Sequence, residues 1–124
     1  MGSKDNHYKL YQQFKHDAEN TTNFEGTRVE AYFLSAYHLI ETCAAQDHIH
    51  INKHQHVRTI LLANTFILKE DTDMVWMNFQ QIENQLRPKF TYGFSWTKQD
   101  MNAVEKCFKT IEGICLKKLG GNLK

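Results

Sequence analysis

Apolar residues return at every third or fourth position along most of this 124-residue chain, the spacing that lines one face of a helix. The clearest stretch carries Val29, Tyr32, Phe33, Ala36, Ile40 and Cys43. It predicts a helix that opens on a Thr27/Glu30 capping box and ends near Gln46. Ahead of it, Tyr8, Tyr11, Phe14 and Ala18 predict a shorter amphipathic helix from about Asp5 to Glu19, which the polar stretch ENTTN then breaks. A third segment places Val57, Ile60, Leu61, Asn64 and Ile67 or Leu68 on one side, with Asn52 as its N-cap and Gln55 as capping partner. A fourth carries Val75, Phe79, Ile82 and Leu86 and is expected to stop at Arg87, because a residue before proline is pushed out of the α region. The fifth runs from a Thr97/Asp100 capping pattern through Met101, Val104, Phe108, Ile111 and Cys115 to a Gly120-Gly121 stop.

Five segments with one apolar face each bury those faces most simply against one another. The expected fold class is therefore all-α, an antiparallel four- to five-helix bundle forming one domain over residues 1–124. The tail, residues 120–124, is expected to fray. A single proline and the lack of alternating β-branched runs argue against a sheet protein. The chain carries no internal repeat and no low-complexity tract.

Composition narrows the class without naming an activity. With 15 Lys plus Arg against 14 Asp plus Glu, no bulk charge draws the chain to nucleic acid, so any phosphate contact must be local. Cys43, Cys107 and Cys115 form an odd set without CxxC spacing. They read as small buried hydrophobes in a reducing compartment and not as bridges or zinc ligands. The opening MGSKDNHYK lacks the apolar core of a secretory signal, and no apolar run is long enough for a membrane span. A cytoplasmic protein without membrane contact is expected.

The stretch HIHINKHQH, residues 48–56, holds four of the seven histidines. With Asn52 as cap, His48 and His50 fall in a loop and His54 and His56 in the first turn of the third helix. Metal binding needs imidazoles that converge, and on a helix His54 and His56 diverge by about 200°. Only a folded-back loop gathers three of His48, His50, His54 and His56, with Asp47 as an oxygen ligand beside them. Solvated or capping histidines are the plainer reading. The positive end of the helix favours neutral imidazole at His54 and His56, which permits a metal-binding, catalytic or phosphate-contacting role without requiring one.

Taken in order, RVEAYFLSAYHLIETCA, NKHQHVRTIL and FQQIENQLRPKFTYGFSWTKQDMNAVEKCFKTIEGI resemble the HEPN family of small helical bundles, the higher-eukaryote and prokaryote nucleotide-binding domains. The resemblance covers about residues 27–115. Three features carry it: the aromatic-rich YFLSAYHLIE helix, His54 at the opening of the next helix, and an LR followed by an aromatic before the S/T-x-x-D start of the last helix. Many members of that family cut RNA without a metal, using an arginine followed after four to six residues by a histidine at a dimer interface. Here Arg87 is followed after four residues by Tyr92. A phenol with a pKa of about 10 is a poor general base at neutral pH, although it can bond a phosphate or stack on a base.

What the resemblance implies is a homodimer that contacts nucleotide, RNA or a partner protein and lacks efficient catalysis. Arg87 would be its phosphate-binding fork, with Tyr92 beside it, and His54 and His56 would contact the same phosphate. The alternative is a metal-independent endoribonuclease of toxin type in which His54 or His56 replaces the missing base, matched in such families by a nucleotidyltransferase-like partner. A second alternative is a metal-binding helical protein built on the histidine run, and a third a purely structural dimer. The blander reading makes Arg87 a surface or interface cation and Tyr92 a half-buried aromatic.

No Gly-rich phosphate loop, nucleophile elbow or HExxH motif occurs, and no cofactor is implied. Tyr32, Phe33, Tyr37, Trp76, Met77, Phe94 and Trp96 read as core or dimer contacts. Lys106, Lys109, Lys117 and Lys118, interrupted by Glu105 and Glu112, read as a solvated face.

Overall fold

The computed structural model describes residues 2–93 and 95–120. Among them the regular structure is all helical, in α1 (Gly2–Glu19), α2 (Glu25–Gln46), α3 (Val57–Ala63), α4 (Thr72–Gln80), α5 (Arg87–Thr91) and α6 (Lys98–Leu119). A 3-10 turn, His54–His56, leads into α3, and another, Lys69–Asp71, leads into α4. A π-helical stretch, Gln81–Leu86, joins α4 to α5 without a break. The six α segments thus make five rods. No helix among the described residues is long and apolar enough to cross a membrane.

The helix α2 lies at the centre. Its predicted stripe of Val29, Tyr32, Phe33, Ala36, Ile40 and Cys43 is buried, but so are Ala31, Ser35, Leu39, Thr42 and Ala44 on other sides. Small side chains let neighbours approach closely. The Ser35 hydroxyl, fully buried, donates to the Tyr11 carbonyl of α1 at 2.8 Å. The rods α1, α5 and α6 all pack on α2, while α4 packs on α3 and α6. Phe33, Phe79, Phe108, Leu39, Ile40 and Ile111 are among the largest side chains sealed inside.

Several boundaries differ from expectation, each for a local reason. The start of α2 is Glu25, with Phe24 at the cap position and no side-chain cap. Thr27 and Glu30 are already inside the helix, and the Glu30 carboxylate pairs with Arg87. Asn52 does not cap the third segment. Lys53 occupies the extended position before the 3-10 turn, and the α-helix begins only at Val57. It ends at Ala63, where the Asn64 side-chain amide donates to the Ile60 carbonyl at 2.9 Å in competition with the backbone. Ile67 and Leu68 still reach the core through the following turn.

The largest difference is at Pro88. The fourth rod does not stop at Arg87, which keeps helical dihedrals (φ −54°, ψ −44°), but continues to Thr91. Proline inside an α-helix lacks a donor and crowds the carbonyl four residues back, here Asn84. The turns before it are π-helical, with the Arg87 N–H bonding the Ile82 carbonyl five residues back, so the regular α-helical ladder that proline disrupts is already interrupted there.

The last rod matches its sequence signals at both ends. The Thr97 hydroxyl accepts from the Asp100 N–H and the Asp100 carboxylate accepts from the Thr97 N–H, a complete capping box. Gly120 closes the helix at φ +71°, a left-handed value that glycine adopts without strain. The rest of the tail, residues 121–124, lies outside the described residues, as does Phe94. On the lysine-rich face of α6, Lys106, Lys109 and Lys117 are exposed as expected, whereas Lys118 and the interrupting Glu112 tie rods together. Glu112 takes the Tyr11 hydroxyl at 2.5 Å and Lys15 at 2.7 Å, and Lys118 meets Asp47 at 2.6 Å.

Candidate functional site

The continuous fourth rod carries Arg87 onto α2. Its guanidinium carbon stands 4.3 Å above the Phe33 ring, and Nε lies 3.0 Å from the Glu30 carboxylate as an ion pair. Glu30 and Phe33 are three residues apart on one helix face, so α2 offers an acid and an aromatic surface together. The Arg87 side chain is 25% exposed, open enough for a ligand to reach the guanidinium.

His54 reaches the same ring from the opposite segment. Its imidazole meets Phe33 edge-on with centroids 5.1 Å apart and Tyr37 edge-on at 6.1 Å. Nδ1 lies 2.5 Å from Oε2 of Glu83, a residue of the π-helical stretch. A carboxylate only accepts, so Nδ1 donates and Nε2 is left as the second nitrogen of the ring. Two rods and a turn therefore bring Arg87, His54, Glu30 and Glu83 around one buried phenyl ring. Phe79 stacks on that ring at 5.2 Å and fixes it in the core.

The other sequence candidates are placed differently. Tyr92, at the end of α5, is 81% exposed and not the half-buried aromatic of the blander reading. His56, the last residue of the turn that begins at His54, is exposed. His48 and His50 are exposed while Ile51 is buried and Ile49 packs against the core, so HIHI alternates outward and inward. The Tyr37 hydroxyl donates to the Ile51 carbonyl at 3.2 Å, and burial raises that phenol's pKa further above its usual value, with Glu41 adding to the effect. Asp47 is taken by Lys118.

His48 has a backbone role. At φ +64° it is the left-handed residue of a Schellman closure of α2. The Ile49 N–H bonds the Ala44 carbonyl and the His48 N–H the Ala45 carbonyl, both at 2.9 Å.

Metal-ligand geometry falls elsewhere. Among the described residues, the one group of three or more His, Cys, Asp or Glu side chains whose ligand atoms converge is His7, His38 and Glu41. Burial lowers the His7 pKa, Glu41 acts against it, and His38 and His50 add to the lowering. Sequence reasoning missed Glu83, Glu30 and this triad. The i,i+3 spacing of His38 and Glu41 was a legible signal, whereas the partners of Glu83 and the position of His7 depend on how separate elements dock.

Trp96 stacks on Phe90 with centroids 4.9 Å apart, and the Arg58 guanidinium lies 4.4 Å over Trp76. Leu62, Phe66, Met74 and Met77 are exposed apolar side chains of α3, the following turn and α4. Comparison of the chain with protein-family models, with curated proteins and with solved structures found no match in any of the three.

Proposed function

We propose that this chain is a HEPN-like helical module that dimerises and binds nucleotide, RNA or a partner protein through Arg87, without efficient catalysis. The observation that carries the reading is the meeting of Arg87 and His54 on Phe33, which supplies a cation and a ring nitrogen from separate rods at one surface. A partly exposed ion pair such as Arg87 with Glu30 is worth about 1 kcal/mol. A phosphate therefore competes well for the guanidinium, which Phe33 keeps oriented. The exposed Leu62, Phe66, Met74 and Met77 support self-association.

Fluorescence anisotropy with a labelled single-stranded RNA tests the reading. Affinity should fall as salt rises, and Arg87→Ala should weaken binding about tenfold, the scale of one lost charge-assisted contact. Equal affinity of the two proteins, or no binding by either, rejects RNA as the ligand of Arg87. In sedimentation, Met74→Glu/Met77→Glu should shift the chain toward monomer.

One observation favours a second reading, a metal-independent endoribonuclease of toxin type with a nucleotidyltransferase-like antitoxin partner. His54 is held by Glu83 in the manner of a histidine whose second nitrogen takes up a proton. RNA cleavage in the presence of chelator, abolished by both Arg87→Ala and His54→Gln, would select that reading over the first.

A further inference from the structure

Where α1 docks on α2, three ligand atoms form a small triangle. Nδ1 of His7 and Nδ1 of His38 are 3.0 Å apart, and each lies 3.1 Å from Oε1 of Glu41. His38 and Glu41 share a face of α2, and His7 comes across from α1. Phe14 stacks nearly parallel on the His38 ring, at 5.7 Å and 4°, and holds its plane.

Hydrogen bonding leaves this triangle incomplete. A single proton shared between the two nitrogens satisfies that edge and gives the carboxylate oxygen nothing. Oε1 of Glu41 in fact accepts no hydrogen bond, although the residue is only 4% exposed. An ionised carboxylate oxygen without a donor is costly in the interior. A divalent cation removes the conflict, because all three atoms then face positive charge.

The dimensions suit such an ion. Zinc bonds to histidine nitrogen and carboxylate oxygen are about 2.0–2.1 Å, which sets tetrahedral ligands about 3.3 Å apart. The observed edges are within a few tenths of an ångström of that value. An ion about 2 Å from each atom would stand about 1 Å off their plane, leaving a fourth position for water.

We propose that His7, His38 and Glu41 bind one zinc-class divalent ion that fastens α1 to α2. Its three ligands include neither Arg87 nor any histidine of residues 48–56, although His50 comes near enough to lower the His7 pKa. Binding a native-state ion stabilises the fold by mass action, so zinc should raise the melting temperature.

The untagged 124-residue chain, stripped of metal by dialysis against a chelator, is titrated with zinc sulfate by calorimetry and with cobalt(II) as a coloured probe. One ion per chain, with cobalt absorption typical of four-coordination and a raised melting temperature, is the expected result. His7→Ala and Glu41→Gln should each weaken binding by more than about a hundredfold, the upper end of the loss for residues that only support a ligand, while Arg87→Ala leaves it unchanged. His7 lies at the half-buried rim of the contact, so His7→Ala decides the matter should Glu41→Gln fail to fold. Absence of stoichiometric binding overturns the proposal. Binding that survives His7→Ala but is lost in His48→Ala/His56→Ala overturns it as well, by moving the site to the loop.

Discussion

The Glu83 carboxylate accepts a hydrogen bond from Nδ1 of His54 at 2.5 Å, joining the fourth rod to the turn that opens α3. The Glu83 side chain is 11% exposed, so its oxygen has little access to water if the imidazole is removed. His54→Ala should therefore cost about 1–2 kcal/mol, the usual penalty for stranding a buried acceptor. The double variant His54→Ala/Glu83→Leu should recover part of it, because no stranded carboxylate remains. Urea unfolding of the three proteins measures this. A double variant no better than the single one would show that the pair is not what holds the turn.

Arg87 presents the opposite case. Its partner Glu30 is well exposed, and its contact with Phe33 is a stacked cation on an aromatic face. Together these are worth about 1 kcal/mol. Arg87→Ala should lower stability by about that amount and leave the helical circular dichroism unchanged. Arg87→Lys should recover less than half, since an ammonium neither stacks as a plane nor presents a fork. Loss of fold in Arg87→Ala would mean that the arginine is structural, and the RNA-binding test would then need the lysine variant.

Legibility in the sequence followed how local each signal was. Both ends of α6 could be read directly, because Thr97 with Asp100 and Gly120 act within one turn of backbone. Pro88 misled for the opposite reason: its prohibition holds for regular α-helix, and six residues of π-helix before it change the register of the hydrogen bonds. Glu30, three residues after Thr27, imitates a capping partner, and only the docking of the fourth rod shows that it faces Arg87. The resemblance to an arginine-then-histidine pattern directed attention to Tyr92, which is exposed, whereas the imidazole nearest the same phenyl ring as Arg87 comes from the turn before α3. The five-rod core was legible from periodicity, and His54 beside Arg87 was expected through the resemblance alone, whereas the places of Glu30, Glu83 and His7 were not legible, because no sequence spacing encodes how separate rods meet.

His48 gives a prediction of increased stability. It sits at φ +64° in the Schellman closure of α2 with its side chain exposed, so its Cβ carries the cost of the left-handed region. His48→Gly should stabilise the protein by up to about 1 kcal/mol, reduced by the extra freedom that glycine gives the unfolded chain. A raised melting temperature in calorimetry is the expected readout. A fall would show that the imidazole makes a contribution larger than the backbone strain.

The three cysteines yield a prediction about chemistry and pH. Cys43, Cys107 and Cys115 are all buried and free, and the Cys43 thiol lies 3.5 Å from the Cys115 carbonyl. Burial raises the Cys107 pKa, and the hydrogen bond with Cys43 together with burial raises that of Cys115. A raised thiol pKa means less thiolate at a given pH, and the thiolate is the species that reacts. At about pH 8, where an ordinary cysteine with a pKa of about 8.5 is already partly ionised, native protein should react with an aromatic disulfide reagent at least tenfold more slowly than the same chain in guanidinium, an order-of-magnitude expectation from thiolate fraction and access combined. In the denaturant all three thiols should titrate. A fast-reacting thiol in the native protein would require one of these cysteines to open to solvent, with Cys107, at the edge of the core, the first to examine by mass spectrometry.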